Sequence, residues 1–455
     1  MRGFFMRTTM AEEILDADLA IGAKWVVTVS GEVLENHAVI VSRGKIIDVL
    51  PKSAAAQRYR ASTNVELEEH VLLPGLINLH THAAMTLLRG YADDQPLMTW
   101  LEEYIWPVEK RALSKDFVFD GTLLGCAEML AGGVTCFNDM YFYPSAAADA
   151  VRQSGMRANL GMVVMEFATS YASDAEHYLM KGLEARDGWK NHPLLTSSLA
   201  PHAPYTVSNR SFEQIVTYAE QLSLGIHLHL HETVDEIATS MEQFGKRPVQ
   251  RLAELGVLGP GLIATHCVHL DEKEMDVLAG YGCHVAHCPT SNLKLASGIA
   301  PVHEMKRKGI NVGIGTDGAA SNNRLDVFSE LRLAALLAKG SSGMADTMPA
   351  STALRMATLD AARAIGLDDR IGSIEVGKDA DLTAVRISDP ELLPCFDPVS
   401  HLVYVAGREH VTHTWVAGNL LYRKLPGQSG VYANIEPAQL QEIVSSWQAR
   451  LARQH

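Results

Sequence analysis

The chain has no Cys-x-x-Cys pair, no extended run of lysine or arginine, and no apolar stretch long enough to span a bilayer. Each absence closes a class of function. The six cysteines, at 126, 136, 267, 283, 288 and 395, follow no pairing pattern. A disulfide scaffold is therefore not expected, and Cys267 and Cys283, in or near predicted strands, read as small buried thiols. Such usage suits a reducing cytoplasm. A net charge of −14 without basic clusters argues against nucleic acid or an anionic membrane as the main partner. The opening Met-Arg-Gly-Phe-Phe-Met-Arg lacks the apolar core and cleavage site of a secretory signal, and Met6 or Met10 is an alternative start. No Gly-x-Gly-x-x-Gly follows an early strand, which removes the usual mark of a doubly wound dinucleotide fold.

What is present points to a large barrel with a smaller companion. At 455 residues and 47% apolar composition, the chain is too long for one ordinary core and rich enough to bury a sizeable one. Between residues 71 and 370, strand-like and helix-like stretches alternate, as in parallel βα units. Eight strands are expected, near Val71–Leu79, Val134–Met140, Ala158–Met165, Leu194–Ala200, Gly225–His231, Leu262–His266, His284–Cys288 and Asn311–Thr316. Helices are expected over Asp116–Ala131, Ser211–Ser223 and Asp326–Ala338. Eight such units predict an α/β chain closed into a (β/α)8 TIM-like barrel. Residues 1–70 and 371–455 read as short strands, so both chain ends are expected to build one small β-sandwich domain. A terminal helix opens at Pro437, with Leu440, Ile443, Val444, Trp447 and Leu451 as a packing stripe.

Four of the barrel fragments end in metal-ligand types: Leu76-Ile-Asn-Leu-His80-Thr-His82, Ile226-His-Leu-His229-Leu-His231-Glu232, Leu262-Ile-Ala-Thr-His266 and Val312-Gly-Ile-Gly-Thr-Asp317. Each places imidazole or carboxylate at a strand's C-terminal end, which in a parallel barrel is the mouth that carries active sites. His80 and His82 are two apart, so on a strand they face the same way and can grip one ion. Any one of these histidines alone would read as core. Together, each ending an apolar run, they read as a metal site. In the fifth strand His227, His229 and His231 all alternate onto one face, and spacing does not choose among them.

The sequence resembles the amidohydrolase superfamily, most closely its 5-methylthioadenosine/S-adenosylhomocysteine deaminases. The motifs are Pro74-Gly-Leu-Ile-Asn-Leu-His-Thr-His82, Met85-Thr-Leu-Leu-Arg-Gly90, Pro201-His-Ala-Pro204, His229-Leu-His-Glu-Thr233, Ala264-Thr-His-Cys-Val-His-Leu270, Ser291-Asn-Leu-Lys-Leu295 and Gly315-Thr-Asp-Gly-Ala-Ala-Ser-Asn-Asn323. The resemblance implies His80, His82, His229 and Asp317 as ligands of one divalent metal. Zinc is the first choice, and iron fits the same ligands. The fourth-strand stretch Thr196-Ser-Ser-Leu-Ala-Pro-His202 carries no lysine to bridge a second ion. The same resemblance makes Glu232 the acid that protonates purine N1, Asp317 the group that takes the proton of water, and His266 the stabiliser of the attacked centre.

Substrate contacts follow in the same way: Glu109 in Trp106-Pro-Val-Glu109 for ribose hydroxyls, His202 for the substrate, Trp100 and Met85 for packing. Glu232 and Asp317 also touch the base, and Ser321 and Asn292 line or orient the last two loops. By spacing alone Glu109 is one charge on a helix and Glu232 a loop carboxylate. The stretch Gly161-Met-Val-Val-Met-Glu-Phe-Ala-Thr-Ser170 has no arginine for an amino-acid carboxylate. This favours 5′-methylthioadenosine or adenosine over S-adenosylhomocysteine. The expectation is thus a nucleoside deaminase with a small-molecule partner, and a homo-oligomer is compatible with it. Competing readings are a deaminase or hydrolase of another amino-heterocycle (guanine, cytosine or a triazine) and a non-catalytic barrel scaffold.

Overall fold

The computed structural model describes residues 14–452; the signal-peptide reading and the alternative starts lie outside them. The chain opens with β1 (Leu15–Val27), β2 (Val33–Ser42), β3 (Lys45–Pro51) and β4 (Tyr59–Pro74). Eight parallel barrel strands follow: β5 (Leu76–Thr81), β6 (Val134–Tyr141), β7 (Arg157–Val164), β8 (Leu195–Pro201), β9 (Gly225–Leu230), β10 (Leu262–His266), β11 (His284–His287) and β12 (Asn311–Ile314). The chain then returns through β13 (Leu382–Arg386), β14 (Val411–Val416), β15 (Asn419–Arg423) and β16 (Val431–Tyr432).

The barrel strands pair in chain order. All eight residues of β6 and of β7 are buried, as strands covered on both faces must be. The ring closes at its mouth, where the carbonyl of His80 accepts from the amides of Thr316 (3.1 Å) and Asp317 (2.9 Å). Lower down, the Ile77 amide bonds to the Ala357 carbonyl at 2.8 Å, so the 357–361 segment wedges between the first and last strands. Gly313 permits that wedge: a Cβ there would stand 3.1 Å from Ala361 Cα and 2.5 Å from Leu79 Cδ2.

The second sheet runs β16-β15-β14-β13-β4-β1-β2-β3 and is built from both chain ends. It curls over a core of its own that includes Ile21, Val26, Val41, Leu72, Leu382 and Trp415. Its β2–β3 turn meets its β14–β15 turn so closely that a Cβ on Gly44 would stand 2.7 Å from the Ala417 carbonyl oxygen.

The strand expected over Val71–Leu79 is two strands. Val71 and Leu72 pair with Val385 and Ala384 of the small sheet, and the barrel strand begins only at Leu76. Gly75 forms the junction, because a Cβ there would collide with Thr135 at 2.2 Å. A buried ion-pair cluster ties the bodies together: Arg157 of β7 donates to Asp381 (Nε, 2.9 Å) and Asp379 (Nη2, 2.9 Å), both just ahead of β13.

The expected helices form over Lys115–Ala131, Asn209–Leu222 and Val327–Ser342, each capped by a side chain (Ser114, Ser208, Asp326) that accepts a first-turn amide. The terminal helix, Pro437–Ala452, buries Ile443, Trp447 and Leu451, while Val444 of the expected stripe is exposed. Trp447 donates to Asp120 at 2.7 Å and meets Phe117 edge-on. No helix among the described residues is long and apolar enough to cross a membrane.

Candidate active site

Each site histidine is aimed by what holds its Nδ1. That of His82 donates to the Met140 carbonyl (2.5 Å), that of His229 to the His202 carbonyl (2.8 Å), and that of His266 to Asn292 Oδ1 (2.8 Å). That of His80 lies 2.9 Å from Nε2 of His227. With Nδ1 engaged, Nε2 is the atom left for the mouth, the arrangement by which outer partners orient metal-binding imidazoles. Within the fifth strand the residues part company. His229 gathers with His80 and His82, their ring nitrogens within 4.8 Å of one another. His227 stands behind His80. His231 turns away, with Nδ1 to the His269 carbonyl at 3.2 Å and Nε2 3.4 Å from Glu274.

Asp317 completes the cluster. Its Oδ1 lies 3.2 Å from Nε2 of both His80 and His82. Its Oδ2 accepts from Ser291 (2.6 Å) and Ser321 (2.8 Å). Ser321, expected on the substrate, therefore stands behind Asp317 and does not line the cleft. Three strand exits carry non-glycine residues in the left-handed region: His231 (φ 53°), His266 (φ 72°) and Asp317 (φ 63°). Such backbone strain persists where surrounding structure enforces it, and here it turns side chains into or away from the mouth.

The donor set fits a divalent metal. Nε2 of His80 is buried without a hydrogen-bond partner. The 3.2 Å spacings match the ligand-to-ligand edge around one tetrahedral ion with bonds of about 2.0–2.1 Å. Electrostatics agree. Burial, reinforced by neighbouring imidazoles, holds His229 well below its ordinary value and pushes His202 down to about 3. Burial also pushes His80 down to about 4 against the pull of Asp317. For His82 burial is outweighed by Asp317 and the Met140 carbonyl, which lift it to about 9. Burial alone would raise Asp317, but the two imidazoles against it hold it well below the usual carboxylate range. Mostly neutral imidazoles around one carboxylate are what a metal needs.

A concave cleft, the usual form of a small-molecule site, opens over this cluster. His82, Met85, Trp100, Glu109, His202, His229, Glu232, His266 and Asp317 all line it. Glu232 places a carboxylate oxygen 3.7 Å from Nε2 of His266. Burial, with Asp317 nearby, raises the Glu232 pKa, and His266 opposes. Glu109 accepts from the Tyr141 hydroxyl at 2.6 Å, and burial lifts its pKa to about 7. Apolar walls come from Leu97, Leu101, Ile105, Met140, Phe142, Val163, Met165 and Leu295. No lysine or arginine lines the cleft among the described residues.

Sequence reasoning missed Tyr141, Tyr205, Ser291 and the supporting role of His227. Tyr141 had a signal: it shares a face of β6 with Asp139, whose carboxylate accepts the Ala83 amide at 2.8 Å. Ser291 opens the Ser291-Asn-Leu-Lys-Leu295 motif, but nothing local marks its bond to Asp317, 26 residues on.

Barrel, mouth and ligand cluster together define a class of metal-dependent hydrolase. The Amidohydrolase family model matches residues 71–421, and the chain belongs to that family. It is 47% identical over 411 residues to a 5-methylthioadenosine/S-adenosylhomocysteine deaminase of Teredinibacter turnerae, covering 89% of this chain and 92% of that one. A protein of the same name from Saccharophagus degradans is 43% identical over 440 residues, 96% of this chain and 98% of its own. Among solved structures, a zinc-bound adenosine deaminase from Xanthomonas campestris aligns with a TM-score of 0.94 at 46% identity, over 97% of this chain and 100% of that one.

Proposed function

We propose that this enzyme hydrolytically deaminates an adenosine-type nucleoside, foremost 5′-methylthioadenosine, giving the inosine-type product and ammonia. The observation that carries this reading is one cleft lined by the metal-ligand cluster, by Glu232 and by a buried ribose-type acceptor, Glu109. One ion, zinc by its donor set, would be held by His80, His82, His229 and Asp317, and would supply the Lewis acidity that brings the pKa of water toward neutrality. Asp317 takes a proton from the water. Glu232, whose pKa burial raises, protonates N1 so that C6 becomes electrophilic. His266, held by Asn292, steadies the charge that develops on the attacking oxygen. A proton carried by these groups then leaves with the amine as ammonia. Glu109 accepts from ribose hydroxyls, His202 contacts the substrate, and Trp100 packs on it. Six free cysteines favour a reducing cytoplasm.

The 5′ side of the nucleoside would face Met165, Phe142 and Trp106. A second cavity shares these residues and Glu109, and its one cation is Lys110, which is exposed. Arg89 is engaged by Glu128 and the Asn323 carbonyl and does not reach the cleft. A desolvated carboxylate would thus meet aromatic and thioether walls without a fork of donors. The kcat/KM for 5′-methylthioadenosine should exceed that for S-adenosylhomocysteine by about tenfold or more, or about 1.4 kcal/mol. Adenosine should fall between them or near the better substrate. Ammonia release and loss of adenine absorbance across these three compounds, with guanine, cytosine and a triazine alongside, test the reading. Turnover of the bases alone would overturn it.

A further inference from the structure

Glu236 is a buried carboxylate that the proposed mechanism does not use. It lies in the first turn of the helix Val234–Phe244, it is 4% exposed, and no lysine or arginine pairs with it among the described residues. The helix is capped by Thr233, whose hydroxyl accepts the Glu236 amide at 3.3 Å. In an ordinary capping box the glutamate would reach back to the amide of that same threonine. Here it reaches past it. One oxygen accepts the amide of His231 and the other the amide of Glu232, both at 2.9 Å. His231 sits in the left-handed region (φ 53°), and amides around such a residue form a concave nest for an anion. Glu236 fills that nest from behind and so fixes the backbone from which the Glu232 side chain leaves for the cleft.

We infer that Glu236 is a positioning residue for Glu232. This rests on the reading of Glu232 as the proton donor. A plain helix cap would cost stability when lost and leave turnover per folded molecule intact. A positioning residue would cost turnover, because a displacement of about 1 Å at a reacting group can cost about 10²-fold.

Glu236→Gln separates the two. It keeps shape but sets an amide NH2 against one of the two backbone N–H groups. With 5′-methylthioadenosine, kcat should fall by about tenfold to a hundredfold, with KM within about twofold and metal content unchanged. Glu236→Asp, which keeps the carboxyl group but shortens the reach, should fall between this variant and the wild type, and it serves if the glutamine variant does not fold. Asp174→Ala, which removes the cap of the distant helix Ala175–Asp187, should lower Tm and leave kcat alone. The double variant Glu232→Gln/Glu236→Gln should be no slower than Glu232→Gln by more than about twofold, since one residue acts through the other. A lowered Tm with wild-type kcat in Glu236→Gln, or additive losses in the double variant, would overturn the inference. Wild-type turnover in Glu232→Gln alone would remove the donor reading and this inference with it, and that result is seen with Glu236 untouched.

Discussion

His227 and His229 differ by one strand pleat and by everything that matters chemically. His229 should be a ligand, so His229→Ala should strip most of the metal. His227 only backs His80, so His227→Ala should weaken metal binding less, by about 10–100-fold in affinity as outer-partner losses do; elemental analysis after dialysis ranks the two. Glu232→Gln should retain metal and lose about 10²–10⁴-fold in turnover, the range general acids supply; loss of metal instead would make Glu232 a ligand. Glu109 carries a cost that can be measured. Its folded pKa, raised from 4.5 to about 7, means that the unfolded chain releases this proton first as pH rises. Stability is therefore full below pH 4.5 and declines by about 3 kcal/mol through the window from 4.5 to 7. Glu109→Gln should escape that loss, so its Tm advantage should open between pH 5 and 7 while its KM for the nucleoside rises. A constant Tm difference across pH would deny the shift.

At the scale of elements, the site depends on close approach. The segment Ala83–Leu88, which follows the His-x-His strand and carries Met85, packs on helix Lys115–Ala131 at Gly121, where a Cβ would stand 2.2 Å from the Ala84 carbonyl oxygen. Gly121→Ala should cost about 1–3 kcal/mol by overpacking. It should also raise KM by displacing Met85, which a denaturation curve and a saturation curve together would show. The barrel itself was readable from apolar runs ending in histidine, because strand burial and strand-tip chemistry are both local. The junction at Gly75 was not, although Pro74-Gly75 interrupts the stretch Val71–Leu79 just where its hydrogen-bond partner changes from β13 to β6: apolar residues on both sides of the pair read as one strand. Ser321 and Glu236 were hidden for another reason: their partners, Asp317 and the His231 and Glu232 amides, are near in sequence, but the left-handed turns at Asp317 and His231 that bring them together are not written in residue type. The helix positions were readable to within a few residues; in the structure Ser114, Ser208 and Asp326 fix where they begin.

The whole molecule is held at two places. At the mouth, His80 and Asp317 belong to the first and last barrel strands, so an ion shared by them would act as a cross-link around the ring. Chelation should lower Tm as well as abolish activity, with zinc restoring both, because a ligand bound only by the folded state stabilises it by mass action. Elemental analysis should find one ion per chain, and two in fully active protein would overturn the mononuclear reading. At the base, Arg157→Ala would strand Asp381, which is buried, and should cost about 3–5 kcal/mol. The small sheet has a further consequence, in time. Pro74 is paired with Leu382 in the ladder, and a ribosome working at about 5–20 residues per second needs about 15–60 s to travel between them. Throughout that interval β4 presents an open edge that β13 has yet to cover, and open edges recruit other chains. A chain stopped at residue 370 should therefore accumulate in the insoluble fraction. Slower translation of the barrel should lower the yield of soluble enzyme even though no folded contact has changed.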